Sequence, residues 1–127
     1  MERQHGDIDS FTKYLVLAGY GDAVVASGLE HFVQGWEDTV AWYDRTQKTF
    51  GLSLEEFGLD VRCRTVLYEV LQKAPSDSVA KLQERIARTD SHFMEVTVET
   101  AKPFDYIPNP DKNTHWWLFR IPLDGLR

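Results

Sequence analysis

The segment at residues 29–45, LEHFVQGWEDTVAWYDR, has the clearest amphipathic pattern in this 127-residue chain. At about 100° per residue, six of its apolar side chains fall within one narrow arc of a helix. They are Leu29, Phe32, Val33, Trp36, Val40 and Tyr43. The opposite side carries Asp38 and Trp42, four residues apart, with Gln34 one turn before Asp38, and an acidic flank of Glu30, Glu37 and Asp44 runs beside it. The pattern therefore predicts a helix with a core-facing stripe and a large aromatic side chain on its solvent side.

The solvent side of this helix is also the best candidate for a binding surface. Binding hot spots are enriched in tryptophan and ringed by polar residues, and complementary charge steers their partners. The candidate partner-binding residues are Glu30, Gln34, Glu37, Asp38, Trp42 and Asp44 on the helix, and Glu55 and Glu56 beyond it. A second interpretation is that the C-terminal strands or the first helix cover Trp42, which would make it an ordinary core residue.

The length and composition favour one folded domain spanning residues 1–127. Hydrophobic residues make up 43% of the chain and charged residues 27%, and no Pro, Ser or Gly tract interrupts it. This is enough apolar material for one compact core, and the chain is too short for two ordinary domains. We expect a folded protein that is a monomer when free.

The formal net charge of −6 is concentrated in the first half of the chain. Residues 1–60 contain eleven acidic and four basic residues, a net of −7, whereas residues 61–127 contain nine and ten, a net of +1. Such a field repels nucleic acids and anionic membranes and favours a basic protein surface. A simpler reading is that the acidic face only keeps the protein in solution.

No motif points to catalysis, a metal or a cofactor, and we expect none of the three. Cys63 is the single cysteine, which excludes an intramolecular disulfide, and the four histidines are scattered without metal-ligand spacing. The N-terminus lacks a signal-peptide pattern, and no run approaches the roughly 20 apolar residues of a membrane span. Cytosolic residence is the expectation.

The helices flanking the central one are predicted from capping residues and glycines. A short first helix begins at Asp9 or Ser10 and stops at Gly19. Residues 23–28, AVVASG, fit either the first turn of the next helix or an extended connector.

Beyond the central helix, residues 44–53 are predicted to form a loop. A short helix follows, with a capping box from Ser53, and Gly58 is expected to interrupt it. A longer helix then restarts at Asp60 and is ended by Pro75, which lacks the amide hydrogen that a helix interior needs. On this helix, the periodicity places Arg64 on the side that points away from the core.

The last helix is predicted to be capped by Ser76 or Asp77 and to run to about Glu95, and Asp90 falls inside its apolar stripe. Burying an unpaired carboxylate lowers the stability of a fold by several kcal/mol, on the order of 3 or more. We therefore expect a specific partner for Asp90, either Arg62 or Arg120. A catalytic role is the less favoured interpretation, since no base, nucleophile or metal-ligand set accompanies it.

The C-terminal tail changes from helical to strand-forming sequence. VTVET at residues 96–100 alternates, and HWWLFRIP at residues 115–122 is rich in aromatic and branched residues. The two segments are predicted to pair as antiparallel strands around a proline-rich loop. One side of the second strand would present His115, Trp117, Phe119 and Ile121, and the other Trp116, Leu118 and Arg120. The predicted fold class is thus mainly α, a helical bundle of four to five helices with a short C-terminal antiparallel β pair.

Four short motifs, in this order, resemble small bacterial immunity proteins of contact-dependent growth inhibition and related polymorphic toxin systems. The motifs are LE-x-F-x-x-x-W-E (Leu29, Glu30, Phe32, Trp36, Glu37), LD-x-R (Leu59, Asp60, Arg62), D-x-x-F (Asp90, Phe93) and WW-x-x-R-[IV]-P (Trp116, Trp117, Arg120, Ile121, Pro122). Together they cover most of residues 29–122, and the chain departs from the pattern before Leu29 and within the proline-rich loop.

The resemblance implies a cytosolic antidote, without turnover, that binds a cognate toxin domain, commonly a nuclease. Because immunity proteins diverge at the contact surface, the shared residues are better interpreted as scaffold and the other exposed residues as recognition. The alternatives are a small hydrolase or metal-dependent enzyme with an unrecognised site, which a cleft lined by His31, Asp38 and His92 would favour, and a regulatory adaptor for another basic protein.

Overall fold

A computed structural model describes residues 8–49, 54–101 and 110–122, with the backbone alone at residues 8–9, 43–49, 54–56 and 58–60. The described residues form five α helices, a 3₁₀ helix and two short strands. In chain order they are α1 (Ile8–Leu17), α2 (Asp22–Ser27), α3 (Leu29–Thr49), α4 (Leu54–Leu71), α5 (Ser76–Glu95), β1 (Thr97–Glu99), the 3₁₀ helix (Trp116–Phe119) and β2 (Arg120–Pro122). This architecture confirms the predicted mainly α fold with a short C-terminal antiparallel β pair.

Helix α3 packs against both α4 and α5 and supplies the centre of the core. Its predicted apolar stripe is buried at every position whose side chain is described, and the side chain of Tyr43 lies outside the described set. The buried members are Leu29, Phe32, Val33, Trp36 and Val40. A helix held along the described part of its stripe in this way presents its other side to solvent in a fixed orientation.

The segment before α3 is helical rather than extended. Residues 22–27 form the separate short helix α2, so the AVVASG segment is neither the first turn of α3 nor an extended connector. Gly28 then turns the chain with a φ of 63°, and its amide donates to Val24 O at 2.8 Å. A left-handed residue of this kind is where glycine is preferred, because it has no Cβ to clash with the following carbonyl.

The predicted boundaries between α3 and α4 are wrong in two places. Helix α3 continues to Thr49, through residues placed in a loop, and α4 runs without a break through Gly58. The sequence from Asp44 to Thr49 contains no glycine or proline, so a helix already anchored by packing extends through it at little cost. A single glycine inside a packed helix costs only about 1 kcal/mol, too little to end it.

Helix α4 ends at Leu71, three residues before the predicted end, and a turn in which the Ala74 amide donates to Val70 O leads to Pro75. The next helix, α5, ends at Glu95 as predicted but already begins at Ser76. Ser76 or Asp77 was expected to cap it, but the N-cap position is Pro75 and no side chain caps the helix. Asp77 lies instead in the first turn, where its charge favours the helix dipole.

The C-terminal pair forms as predicted, but over shorter segments. Strand β1 pairs with β2 in antiparallel register, with Val98 opposite Ile121. The predicted alternation along residues 115–119 is wrong, because Trp116–Phe119 is a 3₁₀ helix. Trp117 and Leu118 are adjacent and both buried, at 1% and 0% exposure. A strand places neighbours on opposite faces, so burying both against α4 requires the tighter helical turn.

Among the described residues, no helix combines the length and apolar character needed to cross a lipid bilayer.

Candidate binding face

The side of α3 opposite its buried stripe is an exposed surface that we call the α3 face: His31, Gln34, Asp38 and Trp42. All four side chains are exposed, and Trp42 is 45% exposed. The structure therefore places Trp42 on the outside of the fold, on the exposed side of a helix whose opposite side is packed. A half-exposed indole on a rigid helix is an unusual surface feature, since most large aromatics in a small domain contribute to its core.

The carboxylate of Asp38 is oriented by its own helix. Gln34 lies one turn earlier, and its Nε2 donates to Asp38 Oδ1 at 2.9 Å. Trp42 lies one turn later, and residues four apart on a helix are surface neighbours. The α3 face therefore presents an oriented carboxylate next to an exposed aromatic ring.

The two glutamates of the predicted acidic flank are bound within the fold. Arg85 on α5 donates through Nε and Nη2 to the two carboxylate oxygens of Glu37, at 3.0 and 2.7 Å, and through Nη1 to Glu30 at 2.8 Å. This arginine was missed in the sequence because its partners are 55 and 48 residues away. Glu30 and Glu37 thus join α3 to α5, and both carboxylates already accept hydrogen bonds from a cation before any partner arrives.

The pairing also changes the acid–base behaviour of these groups. The hydrogen bonds from Arg85 hold the pKa of Glu37 below its ordinary value of 4.5, against a smaller opposing effect of burial. The same bonds, first from Glu37 and then from Glu30, raise the pKa of Arg85. Both pKa shifts favour the ionised forms of Glu37 and Arg85 in the folded protein.

A pH-dependent contribution to stability follows from Glu37. Its pKa is lower in the folded than in the unfolded chain, so the stabilisation is complete above pH 4.5 and is lost as the pH falls through the folded pKa. We expect Arg85→Met to destabilise the protein by about 1 kcal/mol at pH 7 and to lose less stability than wild type between about pH 5 and pH 3. Urea unfolding across this pH range measures both effects.

Lys81→Met is a matched control, because Lys81 is an exposed cation one turn before Arg85 on the same helix. It should keep the wild-type pH dependence. An Arg85→Met protein with the full wild-type loss at low pH would contradict the role assigned to the Glu37 pair.

Three predicted binding residues cannot be placed on the α3 face. The side chains of Asp44, Glu55 and Glu56 lie outside the described set, although the backbone at all three positions is helical. Of the eight predicted residues, the structure brings together Gln34, Asp38 and Trp42 and assigns Glu30 and Glu37 to the contact with α5.

Asp90 has the specific partner that was expected, but it is neither Arg62 nor Arg120. Arg64 donates to both carboxylate oxygens of Asp90, Nε to Oδ1 at 2.9 Å and Nη2 to Oδ2 at 3.0 Å. Trp36 donates its indole N–H to the same Oδ1 at 2.9 Å. The prediction that Arg64 points away from the core is therefore wrong: its side chain is only 8% exposed.

The Arg64 guanidinium also lies 4.4 Å from the ring centre of Trp117, a cation–π distance. Trp117 is held in turn by a 2.8 Å hydrogen bond from its indole N–H to Thr65 Oγ1. Within the described residues, Arg64 Nη1 is buried without a hydrogen-bond acceptor, so the ring contact offsets part of its desolvation. The network joins α3, α4, α5 and the 3₁₀ helix.

Arg120, the other candidate for Asp90, stabilises the β pair instead. Its Nε donates to Thr97 Oγ1 at 2.7 Å and its Nη2 to the carbonyl of Thr97 at 3.0 Å. Arg62 is exposed on α4. Asp90 is thus part of the scaffold and not of the α3 face.

A groove of about 340 Å³ lies at the N-terminal ends of α3 and α5. Its floor is apolar, with Phe11, Leu29 and Leu82, and its rim includes Glu30 and Lys81. His31, Asp38 and His92 do not line it, so the cleft that would favour an enzyme is not formed there. Among the described residues, no group of three or more His, Cys, Asp and Glu side chains is arranged to hold a metal ion.

Neither protein-family models, nor curated protein sequences, nor solved structures gave a significant match to this chain.

Proposed function

We propose that the chain is an immunity protein that neutralises a cognate toxin domain by binding it through the α3 face. The observation that carries the proposal is the exposed indole of Trp42, one turn from the oriented carboxylate of Asp38, on a helix whose opposite side is buried. An exposed aromatic on a rigid support binds with little loss of conformational entropy. The ordered motifs of residues 29–122 suggest the class of partner.

The partner is a basic protein domain, most simply a nuclease. The chain carries a net charge of −6, and a nuclease needs a cationic surface for its polyanionic substrate, so opposite fields would accelerate encounter. Inhibition would be steric and electrostatic: carboxylates of this chain occupy the place of the phosphate backbone. The proposal requires no cofactor and no turnover, and places the protein in the cytosol of the cell it protects.

The internal pairing of Glu30 and Glu37 narrows the part of the surface that recognises the partner. Their carboxylates are bound to Arg85, so a partner would have to displace that arginine to use them. Gln34, Asp38 and Trp42 need no such rearrangement. The proposed contact therefore lies along the exposed side of α3, away from α5.

The test uses the gene immediately upstream. If it encodes a secreted protein with a variable C-terminal domain, we expect that domain to inhibit growth when expressed alone and to be neutralised by this chain in a 1:1 complex. The double variant Asp38→Ala, Trp42→Ala should weaken the complex by at least about 2 kcal/mol, close to 30-fold in Kd. Calorimetry or surface plasmon resonance measures the loss, and added salt should slow association.

Val16→Ala with Leu17→Ala is the control. These α1 side chains are 56% and 87% exposed, so the change removes apolar surface away from α3. It should leave the affinity unchanged. Equal affinity for the wild type and the Asp38, Trp42 variant would exclude the α3 face as the contact, and a domain that neither binds nor is neutralised would reject the immunity function.

A further inference from the structure

In the described part of the fold, Arg64 occupies a fully formed receptor for an arginine side chain. Arg64 donates two hydrogen bonds to Asp90 while its guanidinium lies 4.4 Å from the ring centre of Trp117. A third group, the indole N–H of Trp36, donates to Asp90 Oδ1 and so helps to hold the carboxylate in place. With its arginine in place, the receptor thus has three parts. They are a carboxylate held by an N–H donor, a tryptophan ring, and the planar cation that contacts both.

The α3 face repeats two of these three parts on the outside of the molecule. Asp38 is the carboxylate, held at Oδ1 by the N–H donor of Gln34 at 2.9 Å, and Trp42 is the neighbouring ring. In the interior, the donor and the carboxylate oxygen play the same roles at the same distance of 2.9 Å. Among the side chains that the structure describes, no cation pairs with Asp38 or stacks on Trp42.

The lack of a cation partner among the described side chains separates Asp38 from the other described carboxylates of α3. Glu37 and Glu30 both accept hydrogen bonds from Arg85, and the Glu37 contact is bidentate. Asp38 lies on the side of α3 away from α5 and accepts only from a neutral amide. Asp38 is therefore the carboxylate on the described part of this helix that accepts no hydrogen bond from a cation.

We propose that Asp38 and Trp42 together bind one arginine side chain of the protein partner. Arginine fits better than lysine because its planar fork can donate to a carboxylate while its face lies on an indole, whereas an ammonium is compact and strongly hydrated. Gln34 acts as a positioning residue by holding Oδ1 and leaving Oδ2 to the incoming cation. The inference deepens the proposed function and rests on it for the identity of the partner as a protein.

The arginine preference can be tested on the free protein, without the toxin domain. The chain has four tryptophans and hence four indole N–H signals in a ¹⁵N–¹H spectrum, and Trp42→Phe identifies the one from Trp42. Titration with a hexa-arginine peptide should move the Trp42 signal saturably, and hexalysine should move it less. Asp38→Asn keeps the shape of the side chain without its charge and should weaken the apparent affinity at this signal about threefold.

Glu95→Gln is the charge-matched control, since Glu95 is an exposed carboxylate at the end of α5. It should leave the Trp42 titration unchanged. A stationary Trp42 signal, an equal response to the two peptides, or the same titration in Asp38→Asn as in wild type would each overturn the inference. These results concern the receptor alone, so they are distinct from failure of the chain to neutralise the upstream toxin domain.

Discussion

Arg64→Met should destabilise the protein by at least about 3 kcal/mol, because it leaves a carboxylate in the interior without its cation. The Asp90 side chain is only 16% exposed and would retain a single described hydrogen-bond donor, the indole of Trp36. Methionine fills much of the arginine volume, so the loss reports the missing charge more than a cavity. Urea unfolding followed by far-UV circular dichroism gives the free energy of unfolding.

A second substitution distinguishes charge from packing. Arg64→Met combined with Asp90→Asn removes the buried charge and keeps an acceptor for Trp36, so it should be more stable than Arg64→Met alone. Arg88→Met is the surface control: the Arg88 and Glu84 side chains are 71% and 86% exposed, and their pair is worth less than about 0.5 kcal/mol. If Arg64→Met were as mild as Arg88→Met, the Asp90 network would not stabilise the fold.

The same network shows what the apolar periodicity of a single helix can and cannot predict. The position of Asp90 on an apolar stripe was enough to predict a specific partner, because a buried carboxylate requires one. Its identity depends on how α4 is rotated against α5, and the hydrophobic pattern of α4 alone leaves that rotation open. The periodicity assigned Arg64 to the side away from the core, but a long side chain can turn inward once another helix covers it.

The helix ends were less predictable than the helices. The stripe of α3 and the position of α5 directly after Pro75 follow from apolar spacing and from that proline, which are strong local signals. The extension of α3 to Thr49 and the passage of α4 through Gly58 reflect the packed neighbours, which outweigh weak local preferences. The 3₁₀ turn at Trp117 and Leu118 has the same origin, since both side chains are buried against the rest of the fold.

For the candidate site, the sequence predicted which side of α3 is exposed. It did not predict which carboxylates on that helix are already paired within the fold. Periodicity placed Asp38 and Trp42 opposite the core stripe, and both are exposed. It also placed Glu30 and Glu37 on the acidic flank of α3. A residue in that position can either face solvent or contact the next helix, and the pattern does not distinguish the two. The structure places Arg85 against them, a long-range contact that a local pattern does not contain.

The two tryptophans of α3 give the sharpest test of this division between core and surface. Trp36 is fully buried, its ring centre is 5.2 Å from that of Phe93, and its indole donates to Asp90. We expect Trp36→Ala to cost about 4 kcal/mol of folding free energy, through the cavity and the lost donor together. Trp42→Ala, the same change six residues later, should cost less than about 1 kcal/mol.

Circular dichroism suits this pair because tryptophan fluorescence would itself change with the substitution. The opposite order is expected for association with a basic partner, where Trp42→Ala weakens the complex and a folded Trp36→Phe protein retains it. If Trp42→Ala destabilised the fold as much as Trp36→Ala does, Trp42 would belong to the core. The α3 face would then lose its aromatic anchor, because an indole that the fold itself requires is not available to a partner.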